Sequence, residues 1–409
     1  MNRVVVTGMS GITSLGQDWA SVREQLRAKK SGVRYMKEWK EIDGLTSFLG
    51  GPIDDFAVPS HYNRKHLRTM GRVAKLAIRS TELALIDASL LDSEALTDGT
   101  VGVSYGSTYG SSVDAIEFMK QVGVNKTLQG VKGSQFIKFM SHTCAANVSQ
   151  FFKTKGRLIP ACSACTSGSQ AIGFGYEVVK AGIQDIMICG GAEELHPVGT
   201  SVFDVMYATS QRNDAPETTP RPFDKNRDGL VVGEGAGTLI LESLESAKRR
   251  GASIYAELVG FGSNSDGAHM VNPSSEGMQR VMELALNDAR LTPDDIDYVC
   301  AHGTSTEIGD IAESKATEGC FNRPIPINSL KSYLGHTLGA CGAIEAWVVI
   351  HQMNEGWVAP TINLDEVDPN CGSLDYLTEV RELDQTHVMT NNFAFGGVNT
   401  SLIFKKWTE

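Results

Sequence analysis

Leu158-Ile159-Pro160-Ala161-Cys162-Ser163-Ala164-Cys165-Thr166-Ser167-Gly168-Ser169 is the stretch around which the chain is organised. Leu158 to Ala161 reads as the end of a buried strand, and small residues turn the chain at Cys165. Gly168-Ser169-Gln170-Ala171-Ile172-Gly173 then opens a helix of small residues. A cysteine at such a turn sits against a helix N-terminus, whose unpaired N–H groups and dipole favour the thiolate. The same N–H groups can hold an oxyanion beside the sulfur. Strand, nucleophile and helix in this order form the elbow that α/β acyl-transfer enzymes use with serine. Two plainer readings stand beside it. Cysteine is among the most buried residue types. Cys162 and Cys165 also form a CxxC, which suits a redox pair or half a zinc site, although no second CxxC or His-rich stretch lies at zinc-finger spacing.

With 409 residues the chain can bury a large core and suggests two or three domain-sized units. Its 41% hydrophobic and 21% charged residues are ordinary for a soluble globular protein. No run approaches the ~20 apolar residues of a membrane span. The start, Met1-Asn2-Arg3-Val4-Val5-Val6, enters a strand with no signal-like segment. Eight cysteines outside any dense framework fit reduced thiols, so a cytoplasmic location is expected. A net charge of −11 argues against general nucleic-acid binding.

Strands alternate with helices along the whole chain, which predicts parallel-rich sheets with helices on their faces. Val4 to Gly11 reads as a strand, a glycine turn and a lead into a helix at Trp19 to Ala28. Ser10 stands where a dinucleotide fingerprint needs its second glycine, so that fold is disfavoured. Arg64, Lys65, Arg68, Arg72 and Lys75 cluster on an amphipathic helix predicted to run through Arg79. The cluster is either a solvated face or a dock for an acidic partner. Phe136 to Phe152 reads as one helix of small and apolar residues. Arg221 to Gly229 reads as structured coil. From about Gly237 the pattern restarts, giving halves at 1–240 and 241–409 with no linker between them.

Three further stretches carry chemical residues. Ala301-His302-Gly303-Thr304-Ser305-Thr306 places a histidine at a strand end, before hydroxyls. Lys331-Ser332-Tyr333-Leu334-Gly335-His336 offers a lysine and a second histidine. Asn392-Phe393-Ala394-Phe395-Gly396-Gly397 is a glycine turn with two phenylalanines. Catalytic groups in open α/β sheets gather at strand carboxyl ends, so all four motifs can face one crevice. A Cys–His pair suits a hydrolase. Two histidines suit donation of two hydrogen bonds to one thioester oxygen as an enolate forms.

Taken together, Ser163-Ala164-Cys165, His302-Gly303-Thr304-Ser305-Thr306 with Gly309-Asp310, Lys331 with Gly335-His336, and the Phe-Gly-Gly turn resemble the β-ketoacyl-acyl carrier protein synthases, condensing enzymes of the thiolase superfamily. The resemblance spans effectively the whole chain. It implies a five-layered αβαβα fold from two similar halves, a dimer, and no cofactor or metal. It implies that Cys165 takes an acyl chain from an acyl carrier protein and that decarboxylation of malonyl carrier protein supplies the attacking enolate. It further implies that His302 and His336 hold the malonyl carbonyl, that Lys331 and Glu345 support them, and that the N–H groups of Cys165 and Phe395 form the oxyanion hole. Phe395 is the implied gate with Phe393 beside it, Thr304 and Thr306 bind the pantetheine arm, Tyr109 lines the acyl pocket, and Arg64, Lys65 and Arg68 dock the carrier protein.

The chain departs from the family pattern at Ala394, at Ser10, and at Cys300, where an asparagine often stands near a structural cation. The presence of Cys165, both histidines and Lys331 disfavours a non-catalytic chain-length factor. The catalytic half of a heterodimer with such a factor stays open. A degradative thiolase would need a second reactive cysteine near the C-terminus, and the Cys-His-His set resembles elongating enzymes. The wording around Ser329 to Tyr333 and Asn391 to Ala394 resembles polyketide and aryl polyene synthases more than housekeeping fatty-acid enzymes.

Overall fold

A computed structural model describes residues 1–408. In the first half β1 (Val4–Ile12) is followed by β2 (Val101–Gly106), β3 (Leu158–Ala161), β4 (Ile186–Glu193) and β5 (Gly235–Ser243). The second half supplies β6 (Ala256–Ser265), β7 (Tyr298–Cys300), β8 (Pro326–Asn328), a two-residue β9 (Asp375–Tyr376), β10 (His387–Ala394) and β11 (Val398–Lys406). Neighbours across the sheet run β3-β2-β4-β5-β1 in the first half and β8-β7-β10-β11-β6 in the second. With β9 set aside, both halves place their third, second, fourth, fifth and first strands in that order. The senses agree as well. The first two pairings of each series are parallel and the last two antiparallel. A duplicated architecture is therefore explicit in the topology, but the strand expected to restart the pattern at Gly237 is the last of the first series: β5 crosses the expected 240/241 division, and the second series opens at Ala256. The two sheets meet edge to edge where Val4–Val6 pairs with Ala256–Leu258.

The helices that frame the site include α1 (Trp19–Arg27), α2 (Arg64–Leu67), α3 (Arg72–Asp87), α4 (Thr143–Phe152), α5 (Ser167–Lys180), α6 (Pro197–Asp204), α7 (Ser275–Ala289), α8 (Glu307–Phe321) and α9 (Cys341–Glu355). α5 and α9 pack on each other between the two sheets, α3 and α4 cover the first sheet outside, and α7 and α8 cover the second. Three apolar clusters fill the gaps between these five layers. The central one includes Ile172, Tyr176, Val348 and Leu402. The outer ones include Leu76 and Val148 on one side and Val281 and Met389 on the other. A helix gripped from both sides must be thin. A side-chain carbon at Gly173 would lie 2.2 Å from the Phe261 ring, and one at Gly168 would lie 2.9 Å from Gly339 O. That is why α5 is built of small residues.

Several local expectations give way to packing. β1 continues through Gly8 and Gly11 with a shift of register between Val6 and Gly8 rather than a turn. Gly8 instead lets α3 approach, since a Cβ there would sit 2.5 Å from Ala84 O. The basic helix is broken between Arg68 and Arg72, where Gly71 is extended and closely faces Ser111. The predicted helix over 136–152 splits at Met140 into Gly133–Phe139 and α4. β3 ends the sheet and is not buried, with Leu158 42% exposed. Pro160 fits such an edge, because proline has no N–H for a second partner strand.

Candidate active site

The turn after β3 is tight. Ala164 takes φ +47°, a left-handed conformation at the residue before the nucleophile, and α5 begins at Ser167. The Ser167 hydroxyl accepts from Ser163 N at 2.9 Å and donates to Ala164 O at 2.7 Å, fastening the elbow. Leu338, also at φ +47°, opens the matching turn before α9. Cys165 is buried, and its own backbone N–H and that of Phe395 face the sulfur. Cys162, the other member of the CxxC, is exposed; its Sγ lies 3.2 Å from Thr108 O, and it forms no disulfide.

The loops after β7 and β8 bring His302 and His336 to this sulfur. Nε2 of His336 lies 2.9 Å from Cys165 Sγ. Nδ1 of His336 accepts from Leu338 N at 3.3 Å, which assigns the ring proton to Nε2. Nδ1 of His302 faces the Asn392 amide nitrogen at 3.4 Å, which assigns the same tautomer. The two rings stand at 88° with centroids 5.1 Å apart. Burial, and then the Lys331 charge, hold both imidazoles well below their ordinary pKa, so both are neutral Nε2–H donors.

Behind them Lys331 and Glu345, both fully buried, pair at 2.5 Å. Burial works against the Lys331 charge, but Glu345, together with Cys341 and Cys300, raises the lysine above its ordinary range and the ammonium is retained. The second carboxylate oxygen of Glu345 accepts from Asn392 at 2.7 Å, so Asn392 ties the ion pair to His302. Burial pushes the Cys165 thiol up to about 12, against the opposing influence of Lys331 and the two backbone N–H groups. Glu313, buried on α8, accepts from the backbone of His302 at 2.7 Å and of Gly303 at 2.6 Å.

Glu313 was not among the residues singled out from the sequence, and Asn392 was quoted there only as the head of the Phe-Gly-Gly turn, with no role of its own. The signal for Asn392 was a polar Asn391-Asn392 pair inside a strand, where asparagine is depleted. The signal for Glu313 was its place one helical turn after Asp310, on the same face.

A cleft of about 410 Å³ leads to Cys165, His302 and His336 and is lined by Thr304, Thr306 and Phe395. The two threonine hydroxyls are 3.0 Å apart. Phe393 packs edge-on to His302, and Phe395 packs on Phe203 of α6. Tyr109 stands off the cleft. Its hydroxyl lies 3.3 Å from that of Ser112 and fills the space a side chain at Gly199 would need. Arg64, Lys65 and Arg68 are exposed and make no ion pair among the described residues. Arg72, by contrast, is bound to Glu234 at 2.7 Å and Arg79 to Glu82.

Cys165, His302 and His336 also form a metal-ligating donor set, with their atoms within 4.8 Å of one another. The Lys331 ammonium beside them opposes a dication. Around Cys300 the donors suit a cation poorly. Its thiol is pushed far up by burial, and the oxygens of neighbouring Glu345 are taken by Lys331 and Asn392. Among the described residues no helix is long and apolar enough to cross a membrane.

A duplicated αβαβα fold with a cysteine at a helix start and two histidines turned onto it defines a condensing enzyme of the thiolase architecture. Family models for the beta-ketoacyl synthase N-terminal domain and C-terminal domain match residues 1–247 and 255–365. The chain belongs to the beta-ketoacyl synthase family. It is 37% identical over 410 residues, covering 100% of each chain, to a 3-oxoacyl-[acyl-carrier-protein] synthase 1 of Haemophilus influenzae. A beta-ketoacyl synthase structure from Burkholderia phymatum STM815 superposes with a TM-score of 0.98 at 52% identity, covering 100% of each chain. The ishigamide ketosynthase/chain length factor gives a TM-score of 0.91 at 31% identity, again over 100% of each chain.

Proposed function

We propose that the protein is a 3-oxoacyl-acyl carrier protein synthase that accepts an acyl chain on Cys165 and extends it by two carbons from malonyl carrier protein. The observation that carries this reading is the pair of neutral Nε2–H imidazoles facing one buried thiol. Two such donors aimed at one place stabilise the enolate oxygen left when the malonyl group loses carbon dioxide. The enolate carbon then attacks the acyl-cysteine carbonyl, whose oxygen is held by the N–H groups of Cys165 and Phe395, and collapse of the adduct breaks the acyl C–S bond and frees the Cys165 sulfur as the leaving group. Decarboxylation supplies the carbanion, so the reaction needs no cofactor. Lys331, Glu345 and Asn392 hold the histidines, and Phe393 and Phe395 close over the site. Thr304 and Thr306 bind the pantetheine arm, and Arg64, Lys65 and Arg68 meet the acidic carrier protein; Tyr109, which stands off the cleft, is given no part in it.

The nucleophile belongs to the first half of the chain and the histidine pair to the second. A cytoplasmic location follows the same reading. The open edge of β3 suits a second chain of the same fold. That chain is a second copy, or a chain-length-factor homologue as in the ishigamide pair, and the product belongs to fatty-acid or to polyketide and aryl polyene synthesis accordingly. Intact-protein mass spectrometry with acyl and malonyl carrier proteins tests the proposal. Acylation at Cys165 followed by a 3-oxoacyl product two carbons longer supports a self-sufficient enzyme. Acylation without extension supports the heterodimer. No acylation from any donor rejects the reading.

A further inference from the structure

The loop Arg221 to Gly229 has no part in the chemistry above, yet it wraps the turn that carries Thr304 and Thr306. At the centre of that turn Ser305 takes φ +70°, a left-handed conformation unfavourable for a residue with a side chain. Each polar group of Ser305 is held. Its N–H donates to Asp310 Oδ1 at 3.1 Å, its hydroxyl accepts from Arg221 N at 3.0 Å, and its carbonyl accepts from Gly229 N at 3.1 Å. The next two carbonyls are held by Arg227, through Nε to Thr306 O at 3.2 Å and Nη2 to Glu307 O at 2.8 Å. Nη1 donates to Asp224 O at 2.8 Å and to the Asp368 carboxylate at 2.7 Å, and Asp310 lies 3.6 Å from Nε. Asp310 also accepts from Phe223 N at 2.8 Å, so one carboxylate joins loop and turn. The Arg227 side chain is only 2% exposed, and its donors point into protein rather than toward a ligand.

We propose that Arg227 is a positioning residue for the pantetheine-binding hydroxyls. By gripping two consecutive carbonyls while Asp310, Arg221 and Gly229 hold Ser305 left-handed, it presents Thr304 and Thr306 as a fixed pair on the cleft wall. The proposal rests on the reading that those threonines bind the arm. A planar guanidinium spans the carbonyls and Asp368 together, whereas a lysine offers one point charge.

The test compares Arg227→Lys and Ser305→Ala with a Thr304→Val, Thr306→Val control. Each is assayed for extension with malonyl carrier protein and for acylation of Cys165 by a p-nitrophenyl ester, which carries no arm. Expected for Arg227→Lys is a KM for malonyl carrier protein raised about tenfold, the loss of one modest hydrogen-bond contribution. Its kcat and its arm-free acylation stay near those of the parent. Should Arg227→Lys fail to fold, Ser305→Ala is judged by the same criteria. An unchanged KM beside a raised one in the threonine control overturns the positioning role. So does a parallel loss of arm-free acylation, which marks general structural damage. An unchanged KM in the threonine control overturns the arm-binding premise and the proposal with it.

Discussion

Nε2 of His336 and Sγ of Cys165 meet at 2.9 Å from positions 171 residues apart, one in each half of the fold. Because Leu338 N occupies Nδ1, the imidazole donates toward the sulfur rather than accepting its proton. His336 and His302 therefore act on oxygen that becomes negative during condensation. His336→Ala and His302→Ala are each expected to lower condensation by roughly 10²–10³-fold, the usual loss for one such donor. Acylation of Cys165 suffers less. Rapid-quench measurement of the two steps separates them, and equal losses would reject the donor role.

The buried thiol, pushed up to about 12, sets an alkaline dependence. Below that value the thiolate fraction grows tenfold per pH unit, so iodoacetamide alkylation of Cys165 should climb about tenfold per unit between pH 7 and 9. Peptide mass spectrometry distinguishes it from exposed Cys162. The histidines lie well below 6.5 and stay neutral through pH 6, adding no acid limb there. A plateau in the alkylation rate below pH 8 would contradict the burial effect.

Lys331→Ala strands the Glu345 carboxylate in the central layer with Asn392 as its remaining partner. Breaking a buried pair from one side costs about 3–5 kcal/mol, to be read from denaturant unfolding. The double variant Lys331→Met, Glu345→Gln removes both charges and should recover most of that stability while leaving condensation impaired. A single variant as stable as the parent would show the pair to be hydrated.

Reversing the charges of Arg64, Lys65 and Arg68 to glutamate is expected to weaken acyl carrier protein binding about tenfold or more at low salt, and less as salt screens it. Arm-free acylation of Cys165 should not change. Titration calorimetry at two ionic strengths decides, and equal affinities would return the cluster to a solvated surface.

The order of strands and helices, the elbow at Cys165 and the histidine and lysine turns were legible along the chain. Each is written in contiguous residues whose propensities and spacing act locally. The small-residue helix after Cys165 was also visible as composition, though its reason, confinement between sheets, was not. Breaks at Gly71 and Met140 escaped the sequence because they answer to distant neighbours such as Ser111. The role of Asn392 escaped for the same reason. It lies in bridging Glu345 and His302, which stand 47 and 90 residues away. Nor did any local pattern announce that Arg221 to Gly229 would clasp Ser305. The sequence by itself determined which residues have the chemistry. Only the tertiary structure decided their protonation and aim, because burial, a neighbouring ammonium and a hydrogen bond on Nδ1 exist only once two halves of one chain have packed together.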